Sequence, residues 1–357
     1  MSKSQLAALG LVCSLLSLGV IAADLNVLLP LDKPAESSPR ASTGRITDVT
    51  TTPDGRVVVV GERGHILYSE GPNLAWNQAV VPVSSDLVAV SFVNERLGWA
   101  VGHDGVVLKT TDGGANWEMV LNGRLYGDIL VSFYERKLQT AEANERAERA
   151  LEDAQRIKEE GADKPFLDVY FENERTGWLV GAFNLILKTT DGGETWEPWI
   201  DRTENPMAYT FYSIDRVDGE LYIAGELGLL LRLDSMTGEF VALESPYEGS
   251  FFGLTGARGV LIAFGLRGNA FLSTDKGSNW TRLETGLQNG IVDGEVLQDG
   301  RIVLASNDGE IAISNAARTR FQEFSYTRRV PLSGIGQIDN DSMLLVGPKG
   351  IHSVTIN

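Results

Sequence analysis

One cysteine in 357 residues, Cys13, leaves no partner for a disulfide within the chain and no Cys-rich zinc cluster. Histidine is nearly as scarce. His65, His103 and His352 fall in separate segments without the His-x-x-x-His spacing of a zinc helix. Asp339-Asn340-Asp341 lacks the glycine and distal glutamate of a calcium loop. Neither a P-loop nor a Gly-x-Ser-x-Gly elbow occurs, and Gly334-Ile335-Gly336 precedes no helix that could receive a dinucleotide. No metal and no cofactor are therefore expected. Positive charge is also short: 31 basic against 48 acidic residues gives a net charge of −17, which disfavours nucleic acid or an anionic membrane surface as the main partner.

Residues 1–23, MSKSQLAALGLVCSLLSLGVIAA, have the form of a secretory leader, with Lys3, an apolar run, and small residues at Ala22 and Ala23. Cleavage there is expected to leave a mature chain without thiols and without a membrane insertion of its own. The alternative is a retained anchor facing the periplasm, because Leu6 to Ala23 spans 18 residues. Gly10-Leu11-Val12 before Cys13 is a poor lipoprotein box. An exported chain free of disulfides fits the bacterial periplasm.

What the chain has in quantity is glycine, 39 residues, arranged in repeats. Seven related segments begin at Val60, Val101, Val180, Ala224, Phe264, Ala305 and Val346, typified by VGERGHIL and VGHDGVVL, with steps of 41, 79, 44, 40, 41 and 41 residues. Each follows two short alternating stretches, such as Leu87–Phe92 and Gly98–Gly102. A period near 40 with four short strands per unit predicts a seven-bladed β-propeller filling residues 24–357 as one all-β domain. Downstream of three segments the pattern Ser/Thr-x-Asp-x-Gly-x-x-Trp recurs, carrying Asp112 and Trp117, Asp191 and Trp196, and Asp275 and Trp280. Three equivalent carboxylates argue for turn caps, since a catalytic site needs one special carboxylate.

Two irregularities stand out. The last unit shows three strands, and residues 24–31 are expected to supply the missing outer strand and close the ring. The 79-residue step contains an insertion between blades 2 and 3, at 121–165, whose residues 135–160 lack Gly and Pro and place small apolar residues at helical spacing. One amphipathic helix of about seven turns is expected there. In a four-stranded antiparallel blade, the loop between strands two and three shares a face with the exit to the next blade. The insertion and the seven Gly-x-x-Gly hairpins therefore share a face.

The repeated turn resembles the Asp-box, or BNR, repeat of sialidases and of several non-enzymatic propellers. GWAVGHDGVVLKTTDGGANW (98–117) and GWLVGAFNLILKTTDGGETW (177–196) resemble more narrowly the propellers related to the photosystem II stability and assembly factor, in their bacterial exported branch. That resemblance implies a non-enzymatic scaffold that binds a membrane protein or an envelope transport complex, including exporters of the resistance-nodulation-division type. The hairpin tips are the candidate contacts: Glu62, Arg63, His103, Asp104, Phe183, Asn184, Glu226, Arg267 and Lys349. They vary while their frame repeats, and such positions commonly form a binding ring. The competing class is a sialidase-like glycoside hydrolase acting through the central channel. For that reading Gly44-Arg45-Ile46-Thr47 lacks the proline of the expected Arg-Ile-Pro motif.

Overall fold

A computed structural model describes residues 29–69, 74–326 and 329–356. Seven antiparallel sheets follow one another along the chain, each with its strands in sequential order: blades 1 to 7 occupy 46–78, 87–121, 166–198, 211–242, 251–282, 291–323 and 334–355. Among the described residues six blades have four strands and the seventh has three. The second strand of each blade is almost wholly buried, as in Val57–Gly61 and Gly177–Gly181, because neighbouring blades cover both of its faces. The core lies between blades in successive clusters, not in one centre.

The Gly-x-x-Gly hairpins owe their glycines to two close approaches. A Cβ on Gly61 would lie 2.2 Å from the Arg45 carbonyl oxygen, which precedes the blade's own inner strand. Gly64, at φ 72°, presses on the blade's exit: a Cβ there would lie 2.1 Å from the Val83 carbonyl oxygen. The same pair of contacts recurs around the ring, for example at Gly265 with Ser250 and at Gly268 with Leu287.

The closing strand expected from residues 24–31 is not formed by the part of it that is described. Residues 24–28 lie outside the described residues, and Pro30–Asp32 make a 3-10 turn instead. Proline fixes φ and removes a donor, which suits the start of a turn. Leu31 packs among Val58, Val60, Ile66 and Val83, at the junction of blades 1 and 2. Blade 7 meets blade 1 by direct packing of Leu344 and Val346 against Val49, Val57 and Val59, with Thr51 Oγ1 donating to the Gln337 carbonyl.

The insertion is two helices, not one: α1 (Gly123–Lys137) and α2 (Glu145–Glu160), packed as a hairpin. The break comes from side chains that compete for backbone groups. Thr140 Oγ1 donates to the Lys137 carbonyl, and the Asn144 side chain accepts from Ala147 N and caps α2. Asn122 caps α1 in the same way, and Gly127 lets the helices approach, since a Cβ there would sit 3.0 Å from Lys158 Cα. The stripe Ala147, Ala150, Ala154 and Ile157 is buried.

Candidate functional site

The hairpin face carries the insertion. Tyr126 of α1 covers the tip of blade 2, where a Cβ on Gly105 would lie 2.2 Å from its ring, and its hydroxyl donates to the Lys164 carbonyl at 3.1 Å. At the far end of α1, Lys137 Nζ lies 2.6 Å from Asp201 Oδ2, and their side chains are 8% and 3% exposed. The Tyr134 hydroxyl donates to Asp201 Oδ1 at 3.0 Å; burial first, then the adjacent carboxylate, pushes this phenol well above its ordinary range. Arg146 of α2 reaches blade 4 through Glu239 at 2.8 Å. The helical hairpin is thus fixed across blades 2 to 4.

The tip residues divide into inward and outward sets. Glu62 accepts from Arg45 N and Glu226 from Thr210 N, each tying the tip to the entry of its own inner strand. Asp104 Oδ2 accepts from the Ser85 hydroxyl at 2.6 Å. Asn184 departs from the sequence expectation of a presented contact. It stands where other blades have the second glycine, at φ 63° and 5% exposed, and its amide is hydrogen-bonded to Thr203, Asn205 and the Ile200 carbonyl. Arg63, His103, Phe183, Arg267 and Lys349 point outward and are exposed.

Blades 3 to 5 differ from the rest of the ring. Phe183 is 55% exposed, Leu227 56%, Leu266 38%, and Met207 on the connection from blade 3 to blade 4 is 67%. Phe183 and Leu227 also hold left-handed backbone at φ 56° and 51°. Lys164 Nζ stands 5.3 Å from the centroid of the Phe183 ring. Beside these tips a cavity of 360 Å³ opens between α2 and the blade 3–4 connection, with Arg146, Arg149, Asn184, Thr203 and Asn205 in its wall.

The opposite face holds the Asp-boxes. Asp112 Oδ1 accepts from the Thr110 hydroxyl and from the amides of Ala115 and Asn116, while Oδ2 accepts from the Asn116 side chain. Asp191 and Asp275 repeat the arrangement with Thr189 and Thr195, and with Ser273 and Asn279. Trp117 Nε1 donates to the Gly114 carbonyl, and Trp196 and Trp280 cover Gly193 and Gly277. At Asp191 burial opposes ionisation, but hydrogen bonds from Thr195 and Thr189 outweigh it and bring the carboxyl down to about 2.

Sequence reasoning named the central channel but missed its carboxylates. Asp48, Asp168 and Asp293 occupy one equivalent position on the inner strands of blades 1, 3 and 6. Each carboxylate accepts from the following amide and from an amide of the next blade: Val90 for Asp48, Ile214 for Asp168, Ile335 for Asp293, at 2.7 to 2.8 Å. The partner blades carry Ala89, Ser213 and Gly334 at the corresponding position, small enough to admit the carboxylate. A seven-row alignment of the inner strands would have shown this alternation. Asp215 and Glu295 join them, accepting from Arg216 N and Gln337 N. All five are half-buried in the channel wall. Desolvation raises Asp48 to about 8, Asp168 to about 6, Asp215 to about 7, Asp293 to about 6 and Glu295 to about 8, with repulsion among neighbouring carboxylates adding to it at Asp48, Asp168, Asp215 and Glu295. Among the described residues no three His, Cys, Asp or Glu side chains converge as a metal-holding group, and no helix is long and apolar enough to cross a membrane.

Comparison with known proteins agrees with this geometry. The chain is 29% identical over 197 residues to the chloroplastic photosystem II stability/assembly factor HCF136 of Oryza sativa subsp. japonica, covering 53% of this chain and 42% of that one. It is 30% identical over 162 residues to the photosystem II assembly lipoprotein Ycf48 of Prochlorococcus marinus, covering 43% and 45%. It thus spans less than half the length of these curated relatives. A solved structure of YCF48 bound to D1 peptide superposes with a TM-score of 0.64 over 88% of this chain and 94% of that one; at 16% identity the likeness is one of fold. The family model for photosynthesis system II assembly factor YCF48 matches residues 27–118, 71–133 and 152–311, and the chain belongs to that family.

Proposed function

We propose that the protein is a non-catalytic, exported scaffold that holds a segment of a membrane protein on its hairpin face, with the helical hairpin extending the contact. One observation carries the reading: Phe183 and Leu227 are exposed apolar side chains on left-handed backbone. Such backbone costs about 1–2 kcal/mol per non-glycine residue, and exposure returns none of it through burial. Arg63, Asp104 and Arg267 hold the same left-handed tip position in other blades, so what sets blades 3 and 4 apart is an apolar side chain kept exposed there, and that points to a ligand. The peptide-bound propeller of similar fold supports an extended segment as that ligand, and the lipoprotein name of the Prochlorococcus relative supports export. A rigid ring loses little entropy on binding.

In-cell crosslinking of a tagged form, followed by mass spectrometry, tests this. Phe183→Gly and Leu227→Gly remove the side chains and relieve the strain, so the fold is kept; the partner yield is expected to drop at least about fivefold, roughly 1 kcal/mol. Capture of the same partners in undiminished yield would sink the reading. The identity of the captured protein distinguishes an assembly client from an envelope transport complex.

The enzymatic alternative has the channel carboxylates in its favour, since their raised values suit proton transfer near neutral pH. Against it, Asp48, Asp168 and Asp293 each use both oxygens to bind backbone amides. Turnover of a chromogenic sialoside or glycoside by pure protein, abolished by Asp215→Asn, would establish catalysis.

A further inference from the structure

The segment before blade 1 encloses a concavity that the repeat pattern does not foretell. Ala35 N donates to the Val81 carbonyl, Ser84 N to the Pro30 carbonyl, and Ser38 N to Gln78 Oε1, so this segment lies strapped to blade 1 and its exit. Asp32 receives both Nη atoms of Arg124 at 2.7 and 2.8 Å, which fastens the strap to α1. Between strap and hairpin tip is a cavity of 330 Å³ lined by Lys33, Arg63, His65, Ser37, Ser38 and Ser84, together with Glu36.

We propose that this cavity binds a phosphate group. The donors come from three segments: Lys33, Ser37 and Ser38 from the strap, Arg63 from the hairpin, and Ser84 from the exit to blade 2. A planar carboxylate is satisfied by one guanidinium fork, whereas a tetrahedral oxyanion uses donors from several directions. Among the described residues the Arg63 guanidinium makes no ion pair, and its backbone is held ready: φ is 58°, and its amide donates to Asp86 Oδ1 at 2.8 Å. Lys33 pairs with Glu36 at 2.7 Å, but their side chains are 46% and 76% exposed, and such a pair is worth only about 0–1 kcal/mol. An anion can displace it. His65 is 7% exposed, and its Nε2 hydrogen goes to the Glu36 carbonyl oxygen at 3.2 Å, so the ring braces the strap against the hairpin and forms a wall of the cavity. In a chain of net charge −17 this is a local reversal of sign. The site goes beyond protein binding and does not depend on it.

Two probes decide the matter: calorimetric titration with inorganic phosphate, and cosedimentation with phosphatidylglycerol vesicles against phosphatidylcholine controls, both at low salt. The wild-type protein is expected to bind phosphate with a Kd of about 1 mM or below. Arg63→Gly, which suits the left-handed backbone, is expected to weaken binding at least about tenfold without lowering the melting temperature. Glu36→Gln removes the competing carboxylate and tightens binding, while Arg267→Gly, the equivalent tip of blade 5, leaves it unchanged. Vesicle binding lost in Arg63→Gly assigns the phosphate to a lipid headgroup; binding of inorganic phosphate alone assigns it to a free ion. Failure of the wild-type protein to bind either probe, or equal binding by Arg63→Gly, overturns the proposal.

Discussion

Two sets of three aspartates divide this propeller between them. Asp112, Asp191 and Asp275 on the rim and Asp48, Asp168 and Asp293 in the channel all accept backbone amides, yet burial and hydrogen bonding leave them on opposite sides of the ordinary carboxylate value. The rim carboxylates each close one turn within a single blade and also take hydroxyl or amide side-chain donors. Those in the channel join one blade to the next, are only half-exposed within it, and have other carboxylates as neighbours. Receiving amide hydrogen bonds therefore does not by itself fix a carboxyl's charge; solvation and the sign of the neighbours decide.

The sharpest break in this comparison is Asp48→Ala. It leaves the Val49 and Val90 amides without their acceptor, at about 1–3 kcal/mol for each buried orphan, and chemical denaturation should show a loss of about 2–5 kcal/mol. A loss below about 1 kcal/mol would mean that the blade seams do not need these bonds.

Titration separates the two sets next. The channel groups hold protons in the folded state up to about pH 6–8, whereas unfolded carboxyls release them near pH 4. Their contribution to stability is complete below about pH 4 and is lost as pH rises through 6 to 8. The rim groups act in the other direction: stability is present above about pH 4 and is lost as pH falls toward the Asp191 value of about 2. Calorimetry should find the highest melting temperature near pH 4–6 and a decline on the order of 5 °C by pH 8. A flat profile from pH 5 to 8 would remove the contrast.

Asp191→Ala opens one solvated turn and should cost about 1–2 kcal/mol, with crosslinked partners unchanged on the folded fraction. Smallest is Asp215→Asn. Asp215 accepts only from Arg216 within its own strand, a bond that Asn can keep, so the change lowers repulsion without cutting a seam. A gain of about 0.5–1 kcal/mol at pH 8 and none at pH 4 is expected from denaturation at the two pH values; equal effects at both would assign the gain to something other than charge.

Much of the frame was legible because it repeats. Leu87–Phe92 and Gly98–Gly102 are strands with the bounds that alternation indicates, and the irregular step locates the insertion. The seam aspartates were not read, since each looks like an ordinary polar position in a half-exposed strand until its small counterpart in the next blade is set beside it. The helix break was hidden because Thr140 and Asn144 are tolerated inside helices, and only their bonds to the backbone show that they end one and begin another. Asn184 was misread for a related reason. An Asn at a tip signals either a presented amide or a left-handed residue, and the buried partners that decide between them come from the connection about 20 residues later.

The paired glycine contacts of the hairpins bear on how such a ring can change its specificity. The tips of blades 1, 4, 5 and 7 are gripped at both ends, by the carbonyl before their own inner strand and by the carbonyl leading into the next blade, so these loops cannot lengthen or tilt without collision. Of the two residues between the glycines, the first can tie the tip to its inner strand, as Glu62 and Glu226 do, and the second, exposed one is free to be exchanged. Recognition can then be rewritten by single codon changes at that second position, with the scaffold left untouched.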